Sequence, residues 1–453
     1  METAAAANDC QSGTSVLSAW VPLVDTAIVM GGGLAGLAAA AALGGAGKRV
    51  IVLEARPFLG GRATSYEVGG ESIDNCQHIL LRCCVNLLDF YSRLGVQNKI
   101  AFSREFTFIE PGGRRSVLKA GILPAPNHFA GSFLKLSYLN FSEKLAVARG
   151  IRAIAAESGR DDLDRITMQQ WLEQHGQPPR AIERFWRQVL VSAINEELDR
   201  MAAAHGFQVF RLGFIARKNA YEMGVPAVPL GELYSQERWK QIGNVEIRLR
   251  APVERVIVED GLVKEVVAGG ETLRADTFVC ALPFERVPAL IPQLDIDITE
   301  FEHSPITGIH LWFDRPVVDL PHATLLDRTI QWMFNKDRGC YVQLVVSASR
   351  SLLEMQRAEV VGLAVKELGE FFPSALTAQL EKAHVVKEAR ATFSAKPGME
   401  SKRPLEKTKL ANLFLAGDWT RSGWPATMEG AVRSGYRAAE AIVGHRFVLP
   451  DIV

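Results

Sequence analysis

Apolar positions along this chain cluster into a few runs of strand length, separated by glycine turns and by stretches with helical periodicity. The first run, Thr26 to Met30, leads into Gly31-Gly-Gly33-Leu34-Ala35-Gly36 and an alanine-rich stretch, which predicts strand, turn and helix. A second run, Arg49 to Leu53, stops at Glu54. No residue between Thr26 and Gly47 is charged, and hydropathy alone would mark a membrane span there. The glycines divide it better into a buried strand, a turn and a small-residue helix. Further along, Val253–Val258 and Val263–Val267 flank Asp260-Gly261 as a hairpin, and Thr277 to Pro283 returns as a strand. Near the C-terminus Asn412 to Ala416 forms another strand ending in Gly417-Asp418, and Pro425 to Gly435 opens an amphipathic helix.

With 453 residues, 48% of them hydrophobic, the chain can bury the cores of two or three domains. Lysine plus arginine (51) equals aspartate plus glutamate (51), so no net field draws it to nucleic acid, and an anionic ligand must be held locally. Six cysteines at irregular spacing, without a CxxC pair, fit a reduced cytoplasmic setting and no metal site. Residues 1–24 are small and polar, without the features of a signal peptide, and are expected to form a disordered tail.

Chemistry enters with the glycines. Gly31 permits a tight turn, Gly33 lets backbone approach a pyrophosphate, and Gly36 lets the helix pack closely, with the anion on the helix N-terminus. Glu54, about twenty residues on, suits ribose hydroxyls. The string Glu54-Ala55-Arg56 followed by Gly60-Gly61-Arg62 resembles flavoprotein amine oxidases and carotenoid-type desaturases. That resemblance implies FAD, an α/β fold with a Rossmann-like FAD-binding domain of the amine oxidase/glutathione reductase type, and a discontinuous substrate domain. It further implies that Gly417 and Asp418 reach the ribityl-phosphate region. The helix start at Met428, Glu429 and Ala431 then faces the flavin ring, and Val253 offers backbone to adenine. FAD-binding segments are expected at 25–110, 235–290 and 405–445, and substrate-binding segments at 111–234 and 291–404. No cysteine follows Cys340, so the FAD is expected to be noncovalent.

The intervening motifs carry a closer likeness. Asp74-Asn-Cys-Gln77-His78, Glu183-Arg-Phe-Trp186, Ala193-Ile-Asn195-Glu196, Phe207-Gln-Val-Phe210 and Met223 to Tyr234 resemble the squalene-associated, FAD-dependent desaturase family. Membership would imply reduction of hydroxysqualene to squalene, with Gln77 and His78 beside the flavin. Cys76 departs from the glycine usual in that string. Protonation of an allylic hydroxyl releases water and leaves a cation that accepts hydride, so an acid is needed, and His78 and Glu196 are the candidates. A thirty-carbon isoprenoid, at about 0.8 kcal/mol per methylene, must come from a membrane. The apolar segment 121–141, before a helix expected to be capped at Ser142, is therefore a possible docking site on the inner face of the cytoplasmic membrane, or else an interior lining. Other readings are an isoprenoid desaturase, an amine oxidase, and a prenyl-chain carrier without redox chemistry. The electron donor to the flavin leaves no signature in the sequence.

Overall fold

The computed structural model describes residues 25–452, so the expected N-terminal tail lies outside the described residues. Strand Thr26–Met30 and helix Leu34–Gly45 form as the glycine spacing predicts, and every helix residue from Leu34 to Gly44 is buried. A five-stranded parallel sheet is assembled in the order 245–248, 49–53, 26–30, 277–280, 413–415, drawing strands from three distant parts of the chain. Apart from the edge strand 245–248, its strands are apolar on both faces, because helices Leu34–Gly45 and Met428–Val443 cover one face and the three-stranded sheet of residues 253–273 packs on the other.

Helix Met428–Val443 packs across Leu34–Gly45 so closely that a β-carbon on Gly435 would lie 2.1 Å from the Ala35 carbonyl oxygen. Among the described residues no helix is long and apolar enough to cross a membrane.

A seven-stranded sheet forms the second layer, in the order 380–393, 303–313, 341–347, 332–337, 322–325, 105–109, 115–119. Strand Glu105–Ile109, counted in sequence with the flavin-binding segment 25–110, pairs here instead, in parallel with His322–Leu325. Its alternation places Phe106 and Phe108 on the face that meets the helical part of the molecule. That part includes two π-helical turns, Ile182–Arg187 and Val209–Ile215. The helix expected to be capped at Ser142 is capped two residues earlier, at Asn140, and begins at Phe141, because Asn140 and Glu143 form a reciprocal capping box.

Candidate flavin and substrate site

The glycine loop is built to receive an anion. Gly31 has φ +113°, and a β-carbon on Gly36 would sit 2.0 Å from the Gly31 carbonyl oxygen, so the turn and the helix contact both demand glycine. Gly33 differs, since the nearest atom to a β-carbon there is 3.9 Å away, on Gly61. No side chain caps the helix at Gly33, whose loop forms a parallel bridge with Gly60, and the amides of Gly33 and Ala35 meet no acceptor among the described residues. An uncapped helix N-terminus facing open space fits a pyrophosphate.

Glu54 accepts the Gly32 amide at 2.8 Å and the Arg56 amide at 2.8 Å, which leaves lone pairs on both oxygens for ribose hydroxyls. Backbone pairing of Glu54 with Ala251 and of Arg56 with Arg250 brings Val253 to the same edge. Ala55 and Arg56 are exposed there.

Gly60 packs onto the first loop through a 2.9 Å bond from its amide to the Gly32 carbonyl. Next to it Arg62 donates to Asp418 at 2.6 Å and to the Ala391 carbonyl at 2.8 Å, tying the N-terminal and C-terminal motifs together. Gly417 has φ +152°, and its amide donates to Ser434 in the adjacent helix. At the start of that helix Thr427 caps the Gly430 amide, whereas the amides of Met428 and Glu429 have no acceptor among the described residues. Those two donors suit the electron-rich edge of a flavin.

The Glu429 side chain points elsewhere. It accepts the Asn86 and Leu87 amides, the Asn86 side chain and Arg433, so only its backbone is available to a cofactor. Ala431 bonds back to the Thr427 carbonyl within the helix.

Residues 34–443 match the family described as flavin containing amine oxidoreductase. This chain belongs to that family. It is an FAD-dependent oxidoreductase, and the donor set above fits FAD. Among curated proteins, the chain is 27% identical over 451 residues to a 15-cis-phytoene desaturase of an Oncidium hybrid cultivar, covering 92% of this chain and 77% of that one. It is also 27% identical over 471 residues to a probable zeta-carotene desaturase of Synechococcus elongatus, covering 92% and 98%. Among solved structures, a putrescine oxidase with bound putrescine superposes with a TM-score of 0.69 at 17% identity, covering 93% of this chain and 100% of that one. An oxidoreductase of Methanosarcina mazei gives 0.70 at 16%, covering 90% and 98%. At such identities the structures establish the fold alone.

The central motifs divide into cavity walls and clamps. Phe210 stacks on Phe185 and meets Trp186 edge-on at 4.9 Å, and the π-helical turn carrying it presents Val209, Leu212 and Phe214 to an apolar cavity. Phe106, Phe108 and Trp332 of the large sheet face the same space, which reaches Thr427 and Met428.

Asn195 adopts φ 61° and bonds to the Ser304 carbonyl, Thr392 and the Ala348 amide, pinning its helix to the sheet. Glu196 corrects an expectation. It is wholly buried, receives both terminal nitrogens of Arg350 at 2.7 Å, and also bonds Ser394. A carboxylate so fully engaged is a structural pin, since protonating it would break its two-pronged pair with the half-buried Arg350.

His78 remains in the string that runs between the cavities. Its Nδ1 lies 2.8 Å from the Cys76 carbonyl oxygen, a contact that requires the proton on Nδ1 and leaves Nε2 as an acceptor. Burial lowers its pKa below the usual histidine value, with Arg62 and Lys336 adding to the effect. At neutral pH this imidazole is a neutral acceptor, a poor fit to the expected role of acid.

The Cys76 sulfur packs 3.5 Å from where a β-carbon on Gly308 would lie, so a small residue on the sheet accommodates the thiol. Gln77 accepts from Lys336 at 3.1 Å, and Asp74 does so at 3.3 Å.

Two features escaped sequence reasoning. Arg403, completely buried, donates to the Asp418 carbonyl at 3.0 Å and to Ser422 at 3.2 Å while pairing with Glu400 at 2.5 Å, and so holds the Gly417–Ser422 turn. In the sequence it stands in a charged stretch, Glu400-Ser-Lys-Arg-Pro-Leu-Glu-Lys407, where nothing sets it apart. Cys83 and Cys84 line the apolar cavity, which their spacing could not reveal.

Proposed function

We propose that this flavoprotein reductively removes the hydroxyl of hydroxysqualene, giving squalene and water. The apolar cavity that ends at Met428 carries this reading. Its walls are aliphatic and aromatic, and Glu429, the one carboxylate bordering it, is spent on Asn86, Leu87 and Arg433. Such a lining suits a long hydrocarbon and offers a protonated amine no free carboxylate, only neutral side chains such as those of Gln188, Ser192, Gln208 and Thr324. Likeness of the central motifs to the squalene-associated family supports the specific substrate.

The C–O bond breaks with its electron pair moving to oxygen, which takes a proton and leaves as water, and the allylic carbon takes a hydride. Reduced FAD, when bound, supplies that hydride. The chain's own contribution is to exclude water around the cation and to orient the allylic carbon through Phe106, Phe108 and Trp332.

Membrane delivery belongs to the same reading. Five large apolar residues are exposed within one segment: Ile122, Leu123, Leu134, Phe141 and Leu145, at 96, 46, 61, 76 and 50%. Exposed Lys135, Arg149 and Arg152 flank them, a composition suited to an anionic lipid surface. The inner side of the segment contributes Phe129, packed edge-on against Tyr221 and beside the cavity-lining Phe214. One stretch thus faces outward and packs from behind on a residue of the cavity wall.

The curated desaturase relatives favour a second reading, removal of two hydrogens from a polyene precursor in the same cavity. Anaerobic incubation of chemically reduced protein with hydroxysqualene separates the two. Squalene is the expected product. A dehydrogenated product, or turnover only by oxidised protein on a phytoene-like hydrocarbon, sinks the dehydroxylation.

A further inference from the structure

One face of the seven-stranded sheet carries polar side chains that the protein itself does not satisfy. Cross-strand register aligns His310, Gln343, Phe334 and His322 on four successive strands. Both ring nitrogens of His322, Nε2 of His310 and both polar atoms of the Gln343 side chain have no hydrogen-bond partner, although these residues are only 7, 0 and 0% exposed. Buried polar groups are nearly always paired, because an unpaired one keeps its full desolvation cost. An oxygen-bearing ligand at this row would remove that cost.

His322 opens into a second cavity, distinct from the apolar one, together with Lys336, Tyr341, Gln77 and Asp74. Two residues further along the same strand Thr324, its hydroxyl also unpaired, faces the apolar cavity. Strand geometry puts these positions within about 7 Å of each other, so polar and apolar spaces meet on one strand. The Lys336 ammonium has three donors, of which Gln77 and Asp74 take two.

Resting on the reading that the substrate is a long isoprenoid alcohol, we propose that Lys336 and His322 form the subsite for its oxygen. Lys336 donates a hydrogen bond to the oxygen, the hydroxyl donates one to a ring nitrogen of neutral His322, and the hydrocarbon lies along Thr324 and Trp332. An alcohol needs one donor and one acceptor, and this pair supplies both. Burial lowers the pKa of His322, which keeps its ring in the accepting form.

The test compares binding of labelled hydroxysqualene and labelled squalene, presented in the same detergent micelles, to FAD-loaded wild type, His322→Phe and Lys336→Met, with FAD content and melting temperature measured in parallel. Each variant should bind the alcohol about tenfold or more weakly, the scale of one lost hydrogen bond, while squalene affinity and FAD content stay unchanged. His322→Phe should melt no earlier than wild type, since an apolar ring replaces two unpaired nitrogens. Lys336→Arg, which keeps charge and donors, should retain alcohol binding, and His322→Leu provides a second apolar replacement. Equal weakening of both ligands, unchanged alcohol binding in both variants, or a wild type without preference for the alcohol overturns the subsite. Binding is read without turnover, so a chain that holds the alcohol in this manner yet forms no squalene defeats the dehydroxylation and leaves the subsite standing.

Discussion

Gly33 and Gly36 sit three residues apart in one motif and answer to different constraints. A β-carbon at Gly36 collides with the turn itself, whereas one at Gly33 makes only an ordinary contact, 3.9 Å from Gly61. Gly33→Val is therefore expected to fold with an unchanged melting temperature and to lose FAD, because the side chain fills the space a pyrophosphate must approach. Full flavin occupancy in that variant would contradict the assignment of this loop. His78 gives a second residue-scale prediction. As a neutral acceptor it should matter more for holding the cofactor than for delivering a proton, so His78→Ala is expected to lower FAD content while turnover per bound flavin falls less than about tenfold. A loss of 10²–10⁴-fold at full occupancy would restore it as the acid. The glycines and Glu54 were legible in sequence because their roles are local, set by turn conformation and by a fixed distance along two strands. Glu196 was not. Its partners Arg350 and Ser394 lie more than 150 residues away, and nothing in Ala-Ile-Asn-Glu tells an acid from an anchor.

At the scale of elements, the two flavin-binding motifs cohere because helix Met428–Val443 lies on helix Leu34–Gly45 with Gly435 at the contact. Even Gly435→Ala would place a methyl 2.1 Å from the Ala35 oxygen and 2.8 Å from the Ala39 amide nitrogen. Helices so close must separate, and overpacking of this kind costs on the order of 1–3 kcal/mol. We expect a lower melting temperature together with reduced FAD content, measured by thermal denaturation and flavin absorbance. An unaltered melt would mean that the helices yield freely. The expected strands at 26–30, 49–53, 277–280 and 413–415 were visible as apolar runs, since a strand buried on both faces reads as continuous hydrophobicity. The π-helical turns at 182–187 and 209–215 were not, because their aromatic residues follow ordinary helical spacing and only packing against the sheet widens the turn.

For the molecule as a whole, buried histidines set an acid limit on stability. Burial pushes His205 and His310 down to about 3. Unfolded, each would take up a proton near its ordinary value of about 6.5, so stability falls as pH drops through the window between 6.5 and 3. Thermal melts at pH 7.5 and 4.5 should show this loss, and His310→Phe should flatten it; a profile equally steep in the variant would assign the effect elsewhere. Docking on lipid is the second prediction at this scale. Of the four aromatic residues Phe129, Phe133, Tyr138 and Phe141 in the segment 121–141, Tyr138 is fully buried and Phe129 and Phe133 turn partly inward, so the exposed apolar surface is formed by Ile122, Leu123, Leu134 and Phe141. Replacing those four with serine should reduce co-sedimentation with anionic liposomes and leave FAD content intact, and unchanged co-sedimentation would remove the membrane from the proposal. By itself the sequence determined the dinucleotide fold, because a glycine turn between two apolar runs has few other structural solutions, and the likeness of Glu54-Ala55-Arg56 and Gly60-Gly61-Arg62 to flavoprotein oxidases implied the cofactor. It also marked the segment that is apolar enough to matter at a surface. Which of its side chains face outward, which carboxylate is a pin, and where a polar row borders an apolar cavity were decided only when strands from opposite ends of the chain paired, since burial and hydrogen-bond partners are properties of contacts distant in sequence.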